Sequence, residues 1–152
     1  MAIYELVKNS YDADAKNVSV EFHQIEDTDN SKITIVDNGT GISEEVLENV
    51  WLEPGSAHRK PVNSDGKRVI VRSPIFNRVP MGEKGVGRFA VHKLGRKILI
   101  ISRPCVLVEQ RDKSLKKELL PYEIYLEIDW NSFTQSKYLE DVKIYWTKKI
   151  DS

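Results

Sequence analysis

The sequence predicts an α/β (α+β) chain built as a two-layer sandwich, with a mixed, mostly antiparallel sheet and helices on one face. Three observations predict it. About five or six short runs carry strand character and about three carry helical period. "YEIYLEIDW" alternates strictly, with Tyr122, Ile124, Leu126, Ile128 and Trp130 on one side, so one sheet face is packed and the other is wetter. Two layers are the economical way to bury such a face.

The elements follow in order. "AIYELVKNSYDADAKNV" is a first helix, and "NVSVEFHQI" places Val18, Val20 and Phe22 on one side of a strand. "SKITIVD" is a second strand ending at Asp37, and the two pair as a hairpin across "EDTDN". "NGTG" breaks the chain. Ser43 then stands as N-cap before "EEVLENVW", with Glu44 and Glu45 in the first turn, where the helix dipole favours negative charge. From Leu52 to Lys84 prolines and glycines punctuate about thirty residues without period, a length that in a compact domain is usually functional or disordered. "VGRFAVHKLG" is a third helix closed by Gly95. "KILIIS", "VLVEQ", "YEIYLEIDW" and "VKIYW" complete the strands.

At 152 residues, with 40% hydrophobic and 30% charged side chains, the chain has the size and make-up of one globular domain. Lys+Arg and Asp+Glu balance at 23 each, so net charge gives no reason for wholesale binding to nucleic acid or an acidic membrane. The single Cys105 excludes an internal disulfide and reads as a small strand residue in a reducing compartment. No apolar run approaches the roughly 20 residues of a membrane span. The expected location is the cytoplasm. The sequence contains no internal repeat and no low-complexity segment.

Three segments carry chemistry. Glu5, Asn9 and Asp12 stand at i, i+4 and i+7, which puts two carboxylates and a carboxamide along one helical stripe. "VDNGTGI" reads alone as a plain turn. Its functional reading starts from Asp37, an acceptor-only carboxylate at a strand end that suits an exocyclic amino group such as adenine's. In "GEKGVGRFA", Gly82, Gly85 and Gly87 lead into a helix, where freed backbone N–H groups and the helix N-terminus suit phosphate oxygens, with Lys84 and Arg88 beside them. No Gly-Lys-Ser/Thr follows, which excludes a Walker A loop. A proline-rich loop stands where a dinucleotide fingerprint demands a strand.

In this order, polar-striped helix, Asp-x-Gly-x-Gly, long loop, Gly-x-x-Gly-x-Gly, the sequence resembles the GHKL ATPases. Their nucleotide-binding Bergerat fold is shared by heat-shock chaperones, type II topoisomerase subunits, mismatch-repair proteins and sensor histidine kinases. The resemblance runs from Ala2 to about Ser102. It implies that Glu5 is the general base for the water attacking the γ-phosphate, and that Asn9 is the Mg²⁺ ligand. It implies that Asp12 flanks the nucleotide, that Asp37 recognises adenine, and that Gly39, Gly41 and Ile42 shape that pocket. Lys84, Gly85, Val86, Gly87 and Arg88 would face the phosphates, and residues 52–84 would be the ATP lid. ATP or ADP and Mg²⁺ are thus the implied ligands. "ELVKNSYDADAKNV" and "GEKGVGRFAVHKLG" look nearest to the chaperone-like and MORC-like branch, which includes bacterial stress and defence proteins.

Between Ala57 and Arg78 the loop holds Arg59, Lys60, Lys67, Arg68, Arg72 and Arg78 against Asp65 alone. Such a loop is drawn to a triphosphate, to nucleic acid or to an acidic partner, or is a solvated surface loop. His58 and His92 read as surface groups, since neither has another ligand at a metal-binding interval. Glu5 lies barely one turn from the start, and Thr147 in "YWTKK" lacks the glycine that the family pairs with threonine near the phosphates. Both imply that residues 1–152 are one ATP-binding domain of a longer protein, whose other domains, and a homodimer of the whole, would couple nucleotide state to motion. The leading expectation is Mg²⁺-dependent ATP hydrolysis. A module that senses nucleotide without turning it over, a histidine-kinase catalytic domain and a nucleic-acid-associated ATPase are the alternatives. A histidine kinase has no need of a base for water, so Glu5 favours hydrolysis.

Overall fold

A computed structural model of the chain describes residues 2–48, 65–66, 69–81, 94–130 and 145–150. Its order is α1 (Ala2–Asp12), β1 (Val18–His23), β2 (Lys32–Asp37), α2 (Glu44–Val46), β3 (Lys97–Ser102), β4 (Cys105–Glu109), β5 (Leu115–Leu119), β6 (Tyr122–Asp129) and β7 (Tyr145–Ile150). The expected third helix lies outside the described residues except for its closing Leu94–Gly95.

Every strand pair is antiparallel, and among the described residues the ladders form three sets, β1-β2, β3-β6-β7 and β4-β5. The sequence led us to expect one sheet of five or six strands. One break, between β3 and β4, falls at a residue that cannot continue a ladder. Pro104 is buried between β3 and β4 and has no N–H to continue a ladder. The sets meet instead through single bonds: Ile42 N–H to Ser102 Oγ at 2.7 Å, and Cys105 N–H to the Thr40 carbonyl at 3.1 Å.

The β1-β2 hairpin pairs Val18 with Asp37 and His23 with Lys32, which delivers Asp37 to the end of a strand. The Asp27 carboxylate orders its turn, accepting from Asp29 N–H, Asn30 N–H and the Asn30 amide. Those bonds, the Asn30 amide first, hold the Asp27 carboxyl below the usual carboxylate range.

The core is the inner face of β6. Ile124, Leu126 and Ile128 are buried together with Leu47, and Ile42, Ile98, Ile100, Tyr122, Trp130 and Trp146 pack around them. This is the face that the alternation of "YEIYLEIDW" picks out. Leu47 reaches it because Ser43 caps α2, its Oγ accepting from Val46 N–H at 3.2 Å. Lys148 on β7 bonds Glu44 at 2.9 Å, which fixes α2 against the sheet and raises the Lys148 pKa.

Two strands depart from expectation. "LKKEL" forms β5, which the sequence left unassigned because Leu115 and Leu119 also fit a helical i, i+4 spacing. β7 runs from Tyr145 to Ile150 rather than ending at Trp146, and residues 142–144 lie outside the described residues. Cys105 opens β4 as a half-buried strand residue, as expected. Burial pushes its thiol pKa up against the opposing charge of Lys117, which disfavours the reactive thiolate. Among the described residues no helix is long and apolar enough to cross a membrane.

Leu126 is wholly buried and Leu99, on the outer face, is 56% exposed. Leu126→Ala should therefore cost about 2–5 kcal/mol of unfolding free energy, and Leu99→Ala within about 0.5 kcal/mol of nothing. Urea titration of the two variants checks the assignment of faces, and equal losses would contradict it.

Candidate functional site

The site is organised around the C-terminus of α1. Asp14 N–H donates to Tyr11 O at 3.1 Å and Ala15 N–H to Ser10 O at 3.0 Å, with Asp14 at φ 58°. That is a Schellman termination with aspartate where glycine is usual. A left-handed aspartate is less comfortable than glycine, and its carboxylate gives a reason for it. Asp14 is 1% exposed and accepts from Ile75 N–H at 2.8 Å and Phe76 N–H at 3.3 Å.

The segment from Ser73 to Met81 is thereby strapped onto α1. It closes on itself through Asn77 N–H to Ser73 O at 3.0 Å, Ser73 N–H to Arg78 O at 2.9 Å and Arg78 N–H to Ser73 Oγ at 2.9 Å. The Arg78 guanidinium donates to Tyr11 O at 3.0 Å and Ala15 O at 2.8 Å, over the rings of Tyr11 and Phe76. α1 has no basic residue in its last turn, so Arg78 supplies the cation that the helix C-terminus favours. Arg78 is held by the carbonyls of Tyr11 and Ala15, and the exposed Arg72 donates to the Asn77 carbonyl at 2.9 Å. Arg59, Lys60, Lys67 and Arg68 lie outside the described residues.

The turn after β2 docks on the same helix end. Ser10 Oγ, on a residue 3% exposed, donates to Asp37 Oδ2 at 2.8 Å, and Gly39 N–H donates to Asp37 Oδ1 at 2.8 Å. The Leu6 carbonyl also lies 3.3 Å from Ser10 Oγ. The hydroxyl has one proton, and the shorter, charge-assisted bond to Asp37 takes it. Asn38 Oδ1 accepts from Lys16 N–H at 2.8 Å and Asn17 N–H at 2.9 Å, and Thr40 N–H reaches Ala13 O at 2.8 Å. Lys117 of β5 covers the turn, donating to the Asn38 and Gly39 carbonyls.

Both turn glycines are required by chain contacts. A Cβ on Gly39 would lie 2.7 Å from Ala13 O. Gly41 has φ +73° and its Cβ would overlap the Arg103 carbonyl. Protein backbone fills the space that a side chain at either glycine would need. Ile42 is half-buried against the core.

On α1, Glu5 receives both of its ion-pair bonds from Lys8 Nζ, at 3.1 and 3.2 Å. Asn9 is exposed, and its carboxamide has no hydrogen-bond partner among the described residues. Asp12 Oδ1 accepts from Met81 N–H at 2.8 Å, the residue immediately before the Gly82-x-x-Gly85-x-Gly87 run. Lys84, Gly85, Val86, Gly87 and Arg88 themselves lie outside the described residues. Asp37 therefore stands beside the striped helix, held by Ser10, which follows Asn9 by one residue and about 100° of helix rotation. Asp37 is exposed, and of about four carboxylate lone-pair sites two are used.

Sequence reasoning missed Ser10, Asp14 and Arg78. Ser10 and Asp14 were legible only as polar residues on the wrong side of the stripe. Arg78 was counted among loose charges. As for a metal, no group of three or more His, Cys, Asp or Glu able to hold one occurs among the described residues. A lone exposed carboxamide fits Mg²⁺, which takes few protein oxygens when phosphates supply the rest.

A family model described as histidine kinase-, DNA gyrase B-, and HSP90-like ATPase matches residues 1–126. Neither the curated proteins nor the solved structures contain a match to the chain.

Removing the Asp14 carboxylate would leave the part-buried Ile75 and Phe76 N–H groups without their acceptor, at about 1 kcal/mol each. Asp14→Ala should accordingly lower stability by about 2 kcal/mol and speed tryptic cleavage after Arg72 and Arg78 severalfold. Unchanged cleavage would mean that the strap is held by something else.

Proposed function

The chain belongs to the histidine kinase-, DNA gyrase B-, and HSP90-like ATPase family, and from that premise we propose that it binds Mg·ATP where the β2 turn meets α1 and hydrolyses it. One observation carries the reading: the Asp37 carboxylate is fixed against α1 by Ser10 and Gly39 with acceptor capacity to spare. An acceptor-only group in a fixed direction suits the adenine amino group and repels the guanine carbonyl in the same place.

Each residue of the stripe then has a task. Asn9 would hold the magnesium ion, which, when bound, neutralises phosphate charge. Asp12 anchors Met81, the residue before the glycine run in the sequence. Gly85, Val86 and Gly87 offer backbone N–H groups to the phosphates, and Lys84 and Arg88 add charge. Gly39, Gly41 and Ile42 shape the adenine end by fixing the turn. Glu5 takes the proton from the attacking water. In that step the water oxygen bonds to the γ-phosphorus, the bond from phosphorus to the bridging oxygen breaks, and ADP leaves with the electron pair.

The part of loop 52–84 that acts as a lid would be the part before the strap, since residues 73–81 are docked on α1. The chaperone-like and MORC-like assignment, coupling to further domains of the same chain and a cytoplasmic setting rest on resemblance and composition.

Calorimetry with Mg·ATP tests the site. Asp37→Asn turns a donor towards the adenine amino group and should weaken binding by about 1–3 kcal/mol, or about fivefold to 150-fold in Kd. An unchanged Kd removes Asp37 from the site. Glu5→Ala should retain that Kd and abolish turnover, because a base acts on the water and adds little to ground-state affinity.

A further inference from the structure

The Lys8–Glu5 pair is more than a solvated surface contact. The two side chains are 15% and 25% exposed, with the lysine the more buried partner. Its Nζ lies within 3.1–3.2 Å of both Glu5 oxygens and 5.4 Å from the centre of the Tyr4 ring. A glutamate side chain has three rotatable torsions, and a single bond would leave its carboxylate plane free to turn. A cation forked across both oxygens fixes that plane. It also leaves one lone-pair direction on each oxygen for a water molecule.

The neighbouring residues do not serve this purpose. Asn9 has no partner among the described residues, and Ser10 is committed to Asp37. From this geometry we infer that Lys8 is a positioning residue that sets the direction of the Glu5 carboxylate for proton abstraction from water. The inference rests on the reading of Glu5 as the base. Lys8 acts through Glu5 and makes no contact with nucleotide in this role, so its loss is felt in turnover and spares affinity.

The test uses the full chain and its Lys8→Met, Lys8→Arg and Glu5→Gln variants, with steady-state hydrolysis, calorimetric Kd for Mg·ATP and thermal melting measured on each. Misdirecting a catalytic group without removing it should lower kcat of Lys8→Met by about tenfold or more, with Kd unchanged. Lys8→Arg, which keeps a forked cation, should recover most of that loss. Melting separates this from a merely structural pair, which would lower the melting temperature and leave kcat at temperatures below it untouched. If Glu5→Gln loses turnover while Lys8→Met keeps it, the inference about Lys8 is overturned and the base stands. If Glu5→Gln keeps turnover, the base itself is lost and the inference with it.

Discussion

The bond network between the Asp37–Ile42 turn and the end of α1 is the constraint on which the rest of the structure depends. Six residues join four elements that share no ladder. Asp37 meets Ser10, Asn38 meets the backbone of Lys16 and Asn17, Thr40 meets Ala13 on one side and Cys105 on the other, and Ile42 meets Ser102. The cost of a side chain at Gly39 or Gly41 follows from the same closeness, since backbone atoms already occupy that space. A turn held this tightly can present a carboxylate in a fixed direction, which a flexible loop cannot do without losing ordering entropy on binding.

The second consequence is that the loop after α2 has an anchored end. Asp12, Asp14 and Arg78 divide the work: one carboxylate takes Met81, the other takes Ile75 and Phe76, and the guanidinium takes the carbonyls of Tyr11 and Ala15. The helix and the residues just after it therefore serve three clients. Asp12 and Asp14 hold the strap, Ser10 receives the β2 turn, and Glu5 and Asn9 are left for the proposed chemistry. The strap is thus preorganised by hydrogen bonds rather than by apolar burial.

Much of this was legible beforehand, and the boundary between legible and hidden is physical. Strand β2 ending at Asp37, the β1-β2 hairpin, the Ser43 cap and the buried face of β6 all follow from period and from local capping chemistry. β5 was hidden because two leucines four apart satisfy two periods at once. The three ladders meet through tertiary bonds such as Ile42 N–H to Ser102 Oγ, between residues sixty apart in sequence, which no local pattern announces. The site divides likewise. Glu5, Asn9, Asp12 and Asp37 could be picked out by spacing and motif, whereas Ser10, Asp14 and Arg78 matter only through partners distant in sequence. The chain contacts at Gly39 and Gly41 were likewise hidden, since the backbone atoms that a side chain there would meet belong to Ala13 and Arg103.

The account turns on one placement, a purine amino group against the carboxylate that Ser10 and Gly39 hold. A crystal structure of the full chain with Mg²⁺ and a non-hydrolysable ATP analogue measures it directly. The adenine amino nitrogen should lie about 3 Å from an Asp37 oxygen, with the Ser10 and Gly39 bonds to that carboxylate intact. Adenine bound elsewhere, or an Asp37 carboxylate turned from Ser10 to solvent in the complex, would contradict it.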